Sequence, residues 1–186
     1  MQILIDYENV GTPGLNGTQY LCKSDRVTLF YSRSCTHIKK KHIEDIEQRT
    51  ECFEAVKLIS TGKNGLDFYI AVRVGQIIER NNDRKILIVT GDSGYQAIRD
   101  FCLNYTNSGC KVYVYKDIES GIMSIDSNTE RKTADGVSVV CMVLKGKVAA
   151  MFDSIGGAVQ FVHQRRIVEE IETNRLKEVT AWLKSR

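Results

Sequence analysis

The sequence predicts an α/β three-layer domain built on a central parallel sheet, and three observations carry that prediction. Short β-rich apolar runs recur along residues 1–115. Each of the first four runs is followed by a stretch compatible with helix, and such alternation implies parallel strands joined by crossovers. The run Ile86-Leu87-Ile88-Val89 is apolar without alternation, as a strand covered on both faces must be.

The expected strands are Gln2–Ile5, Arg26–Ser32, Phe53–Ile59, Lys85–Thr90 and Lys111–Tyr115, which makes five. Helices are expected between them. The first covers Leu15–Lys23, and the second covers Thr36–Thr50, where Ile38, His42, Ile43 and Ile46 fall at helical spacing. The third, Leu66–Arg80, repeats Leu66, Ile70, Val74 and Ile77 at three- and four-residue steps, with Asn81–Asp83 as its stop. The fourth is Ser93–Leu103. With right-handed crossovers the strand order becomes 3-2-1-4-5. Beyond Tyr115, the polar stretch Asp126–Gly136 reads as a surface loop, and Val137–Leu144 as a sixth strand or a buried helical turn. The remainder reads as helix. Val148, Phe152, Ile155, Val159 and Val162 form one apolar stripe, and Ile167, Ile171, Leu176, Val179 and Leu183 a second.

A length of 186 residues fits one domain with a short extension, here residues 1–125 followed by a loop and helical extension over 126–186. Hydrophobic residues at 42% and charged residues at 26% exclude collagen-like, coiled-coil and disordered classes. The net charge of +3 permits a phosphate-bearing partner without demanding one. Six cysteines include no CxxC pair, which argues against structural zinc and for free thiols. The opening MQILIDYENV lacks the pattern of a secretory signal, and no apolar run is long enough to span a membrane, so a cytoplasmic location is expected.

In an open parallel sheet, ligands bind beyond the carboxyl ends of the strands, where the strand order reverses. Asp6 follows the first strand, Asp92 follows the fourth, and Asp67 opens the third helix on the face shared by Ile70 and Val74. All three are therefore expected in one pocket. Clustered carboxylates repel, and an all-oxygen donor set points to Mg²⁺ or Mn²⁺ rather than zinc. Individually, each acid also has a plain reading as a turn residue or helix cap. Asn9 could orient Asp6 or serve as a turn former. Lys63, in the glycine-bearing loop Ser60–Gly65, could hold a phosphate at a helix N-terminus or remain solvated.

The segments DYEN near the amino terminus, GKNGLDFYIA at the third helix and IVTGDSGYQAI after the fourth strand resemble the PIN-like nucleases, specifically the NYN branch and related bacterial proteins. The resemblance runs over about residues 1–116. It implies a PIN-like sheet, a divalent-metal site and hydrolysis of phosphodiester bonds in RNA, generally single-stranded. It matches Asp6, Asp67 and Asp92 to the acidic metal positions, and Asn9 to the asparagine of the DxxN motif. The further acid that many members carry after the Asp92 position is replaced here by Gly94 and Gln96. This thinner set leaves open a catalytically inactive PIN-like module. A haloacid-dehalogenase-like phosphatase would also place an aspartate after its first strand, but Glu8 and Asn9 break its DxD pattern. A receiver-like domain lacks its phosphoacceptor at Ser60-Thr61.

Expected RNA contacts are Lys63, Tyr95, Lys39 and Lys40, with Lys41, Arg33, Arg131 and Lys132 as further basic candidates. The same lysines also suit a solvated helix face, and Tyr95 a helix start. The apolar carboxyl-terminal positions, with Trp182, suggest either packing on the domain or a homodimer.

Overall fold

A computed structural model describes residues 1–152, except 36–37, 60–61, 63, 81–84, 107–108, 127–129, 137 and 145–146. Its five parallel strands are β1 (Gln2–Asp6), β2 (Arg26–Tyr31), β3 (Cys52–Lys57), β4 (Lys85–Val89) and β5 (Lys111–Tyr115), in the order β3-β2-β1-β4-β5. That is the expected α/β sheet. Side chains alternate between its faces. Ile3, Ile5, Leu87 and Val89 point to one layer, containing the 3₁₀ turns Thr12–Leu15 and Thr18–Tyr20, α2 (Lys40–Arg49) and α5 (Ile118–Ile125). Leu4, Ile86 and Ile88 point to the other, formed by α3 (Gly65–Arg80) and α4 (Gln96–Tyr105).

Several helical expectations change in detail. Leu15–Lys23 forms no α-helix; the stretch holds the end of one 3₁₀ turn and the whole of a second, broken at Asn16 and Gly17, and Leu21 is extended. Helix α2 starts at Lys40 rather than Thr36, and it buries Ile46. Helix α3 buries Leu66, Ile70, Val74 and Ile77, the stripe read from the sequence. A short helical turn, α1 (Tyr7–Val10), continues directly from β1, with the Asp6 carboxylate accepting from Asn9 N–H.

Helix α5 has no counterpart in the sequence reading. Asp117 caps it by accepting from Ser120 N–H at 2.7 Å, and Ile118, Ile122 and Ile125 enter the core. Gly121 allows the helix to lie close against the sheet. A Cβ there would meet Leu87 at 2.5 Å.

The extension differs more. Residues 130–152 form an antiparallel sheet of β6 (Glu130–Lys132), β7 (Ser138–Leu144) and β8 (Lys147–Phe152). Val148 and Phe152 therefore belong to a strand and not to the expected helical stripe. Their four-residue separation mimics helical spacing, but pairing with β7 decides the segment. The apolar positions from Ile155 to Leu183, Trp182, and the proposed dimer contact lie outside the described residues, as does the helix stop at Asn81–Asp83.

The stretch Asp126–Gly136 is not simply a surface loop. Arg131 is 8% exposed and donates through Nη1 to Asp126 at 2.5 Å, through Nε to Tyr20 O at 2.8 Å, and through Nη2 to buried Asp25. Lys85 also reaches Asp126, at 3.0 Å. Arg131 thus ties β6 to the main domain and is unavailable to RNA. Removing Arg131 takes one cation from Asp25, which keeps the Met1 ammonium at 3.2 Å, and one from Asp126, which keeps Lys85. Arg131→Ala is expected to destabilise the fold by about 1–3 kcal/mol, read as a lowered urea midpoint.

Candidate active site

The site is set by two strand ends. Register pairs Ile5 with Val89, so Asp6 and Thr90 come next along adjacent strands, at the same height. By alternation both project toward the α3–α4 layer, as Leu4 and Ile88 do. Asp67, in the first turn of α3, is held over this edge. Asp92 follows β4 and caps the 3₁₀ turn Ser93–Tyr95 through Gly94 N–H, which donates to its Oδ1 at 2.7 Å.

Asp6, Asp67 and Asp92 line one pocket of about 370 Å³ together with Glu8, Asn9, Ser32, Ser34 and Asn64. No Lys, Arg or His is among its described lining residues. Hydroxyl groups hold two of the carboxylates. Thr90 Oγ1 donates to Asp6 Oδ2 at 3.1 Å and accepts from Asp92 N–H at 3.1 Å. Tyr95 Oη donates to Asp67 Oδ1 at 2.8 Å. Asn9 Oδ1 accepts from Gly91 N–H at 2.8 Å, so this side chain braces the β4 exit, a role distinct from binding an ion directly.

Among the residues given no role in the sequence reading, Glu8 lines the pocket and Thr90 is buried beside it against Asp6. Glu8 adds a fourth carboxylate, and Ser34 Oγ donates to its Oε1 at 3.0 Å. Thr90 joins the Asp6 carboxylate to the Asp92 backbone N–H. The only sequence signal for either was position, directly after or at the end of a strand that ends in the site. Asn64 also lines the pocket, with φ of 63° at the entrance to α3. Asparagine tolerates that left-handed backbone better than most side chains.

The expected substrate contacts fare differently. Tyr95 is 3% exposed, with its ring packed in the α3–α4 core, so it offers no face to a base. Lys39 and Lys40 are exposed and line no part of the pocket, and Lys40 pairs with Glu44 at 3.2 Å. Lys63 lies outside the described residues.

Burial is the largest influence on Asp6, which is 4% exposed, and it pushes the carboxyl above its ordinary pKa of 3.8. Hydrogen bonds from Thr90, Asn9 N–H and Tyr95 pull it down, and the Asp67 charge pushes it up. Burial likewise raises the Tyr95 phenol, helped by the Asp6 and Asp67 charges, so it stays a protonated donor.

Oxygen donors alone, in a pocket whose described lining carries no cation, suit a hard divalent ion in both chemistry and charge. Among the described residues, however, no three His, Cys, Asp or Glu side chains already form a set able to hold one. Asp6 and Asp92 instead spend oxygens on their own turns and on Thr90.

A parallel sheet in this order, with acids gathered at its carboxyl edge, defines a three-layer α/β fold with a candidate site at its switch point. The family model for the PIN domain matches residues 1–114, and the chain belongs to that family, to which the NYN branch is related. No curated protein and no solved structure matches the chain. Among the described residues, no helix is long and apolar enough to cross a membrane.

The raised Asp6 pKa fixes a sign. A group that holds its proton more tightly when folded adds stability below its ordinary pKa of 3.8, and that contribution is lost as pH rises through the folded value. Asp6→Asn has no such loss. In metal-free buffer its urea midpoint should exceed wild type at pH 7, with the gap closing below about pH 4.

Proposed function

We propose that the protein is a divalent-metal-dependent ribonuclease that hydrolyses phosphodiester bonds of single-stranded RNA. One observation carries the reading: four carboxylates line a single pocket at the switch point of a PIN-domain sheet, with no cation among its described lining residues. Unneutralised, that pocket repels a phosphate, so catalysis there calls for a cation.

Asp6, Asp67 and Asp92 would hold Mg²⁺ or Mn²⁺, and Glu8 stands close enough in the pocket to assist. Bound there, such an ion lowers the pKa of a water and offsets the charge that builds on phosphorus. The protein supplies placement. Thr90 holds Asp6 beside the Asp92 turn, and Asn9 fixes the backbone at Gly91. Ser32, Ser34 and Asn64 form a polar wall facing the acids, suited to ribose and phosphate oxygens.

The reading is tested by incubating purified protein with labelled single-stranded RNA, duplex RNA, DNA and a phosphomonoester, with Mn²⁺ or EDTA. Single-stranded RNA should be cut only with metal. Asp6→Asn and Asp92→Asn should each lower the rate at least 100-fold while folding survives, since losing a ligand weighs at least as much as losing its supporting partner. Cleavage unchanged in EDTA would reject the metal reading. Phosphomonoester turnover alone would favour a phosphatase, and RNA binding without turnover an inactive module.

A further inference from the structure

We infer that Tyr95 is a positioning residue of the metal site, acting through Asp67 to aim one carboxylate oxygen at the ion; this rests on the metal reading above. The packing of the ring does not call for a hydroxyl. It lies among Leu66, Ile70, Ile88 and Cys102, where phenylalanine would fill the same space. A buried hydroxyl is costly without a partner, so its presence points to the partner it serves.

That partner is the Asp67 carboxylate, at 2.8 Å, with the Asp6 carboxylate close enough to act on the phenol as well. The two acids come from different elements, and Tyr95 from a third. It is carried by the same 3₁₀ turn that Asp92 caps. Asp92 therefore positions the turn, the turn positions Tyr95, and Tyr95 grips Asp67. On the other side, Thr90 donates to the Asp6 carboxylate and accepts from the Asp92 backbone N–H, so hydroxyl groups hold Asp67 and Asp6 while backbone N–H groups fix the turn that carries Asp92.

The consequence is directional. Tyr95 engages Asp67 Oδ1 and leaves Oδ2 for the pocket. Without the phenol, Asp67 can rotate about its own side-chain bonds, and the ion must order it on binding. Partners that orient a metal ligand typically contribute 10–100-fold in affinity. The turn after β4 carries one acid, with Gly94 and Gln96 following it, and a phenol supplies the rigidity that a second carboxylate does not provide there.

The test is calorimetric titration of the full chain with Mn²⁺, for wild type, Tyr95→Phe and Tyr95→Leu, with the metal-free unfolding temperature measured for each. The expected result for Tyr95→Phe is an Mn²⁺ dissociation constant raised about tenfold or more, at a nearly unchanged metal-free unfolding temperature. In an Asp67→Asn background the same change should add nothing further. An unaltered dissociation constant with a lowered unfolding temperature would overturn the inference while leaving the metal reading intact. Failure of both Tyr95 variants to fold would also overturn it, since the residue would then serve the core. Wild type that binds no Mn²⁺ would overturn the metal reading and this inference with it.

Discussion

Parallel pairing of β1 with β4, in the register that sets Ile5 against Val89, ends both strands at one height and aims Asp6 and Thr90 to the same face. A shift of one residue would turn Asp6 toward the α2–α5 layer and away from Asp67. That register is held by side chains among the most deeply buried of the described residues. Ile3, Leu4, Ile5, Ile86, Leu87, Ile88 and Val89 are all at most 1% exposed, so a slip would expose or misplace side chains on both faces together. The core therefore holds the site in place.

What the sheet brings together, electrostatics would drive apart. Asp6 is buried with its pKa raised, Asp67 adds a like charge, and Glu8 and Asp92 lie in the same pocket. Neutral donors answer this within the protein: Thr90, Tyr95 and the N–H groups of Asn9 and Gly94. They fix carboxylate geometry without neutralising the charge. A site built this way keeps its attraction for a cation, which a lysine or arginine at the same place would have removed.

Much of this was legible from residue order. Continuous apolar runs marked the buried strands, the Leu66-Ile70-Val74-Ile77 period marked α3, and strand order alone placed Asp6, Asp67 and Asp92 at one edge. The sequence was silent where tertiary contacts decide. Helix α5 is eight residues long with Gly121 in its middle, a poor local signal offset by the burial of Ile118, Ile122 and Ile125 and by the close approach to Leu87 that Gly121 permits. Arg131 sits in a polar stretch that reads as a surface loop, yet buried Asp25 and half-buried Asp126 draw it inward. Tyr95 read equally as an RNA contact or as packing at a helix start, because nothing local announces that its hydroxyl finds Asp67, 28 positions earlier. In β8, the spacing of Val148 and Phe152 satisfies helix and strand alike, and only the β7 partner separates them.

If these acids form the seat of a divalent cation, crystals grown with Mn²⁺ and measured at the manganese absorption edge should show an anomalous peak in the pocket, about 2.1 Å from oxygens of Asp6 and of Asp67 or Asp92. A fully loaded crystal with no peak there, or with manganese bound only elsewhere on the surface, would contradict it.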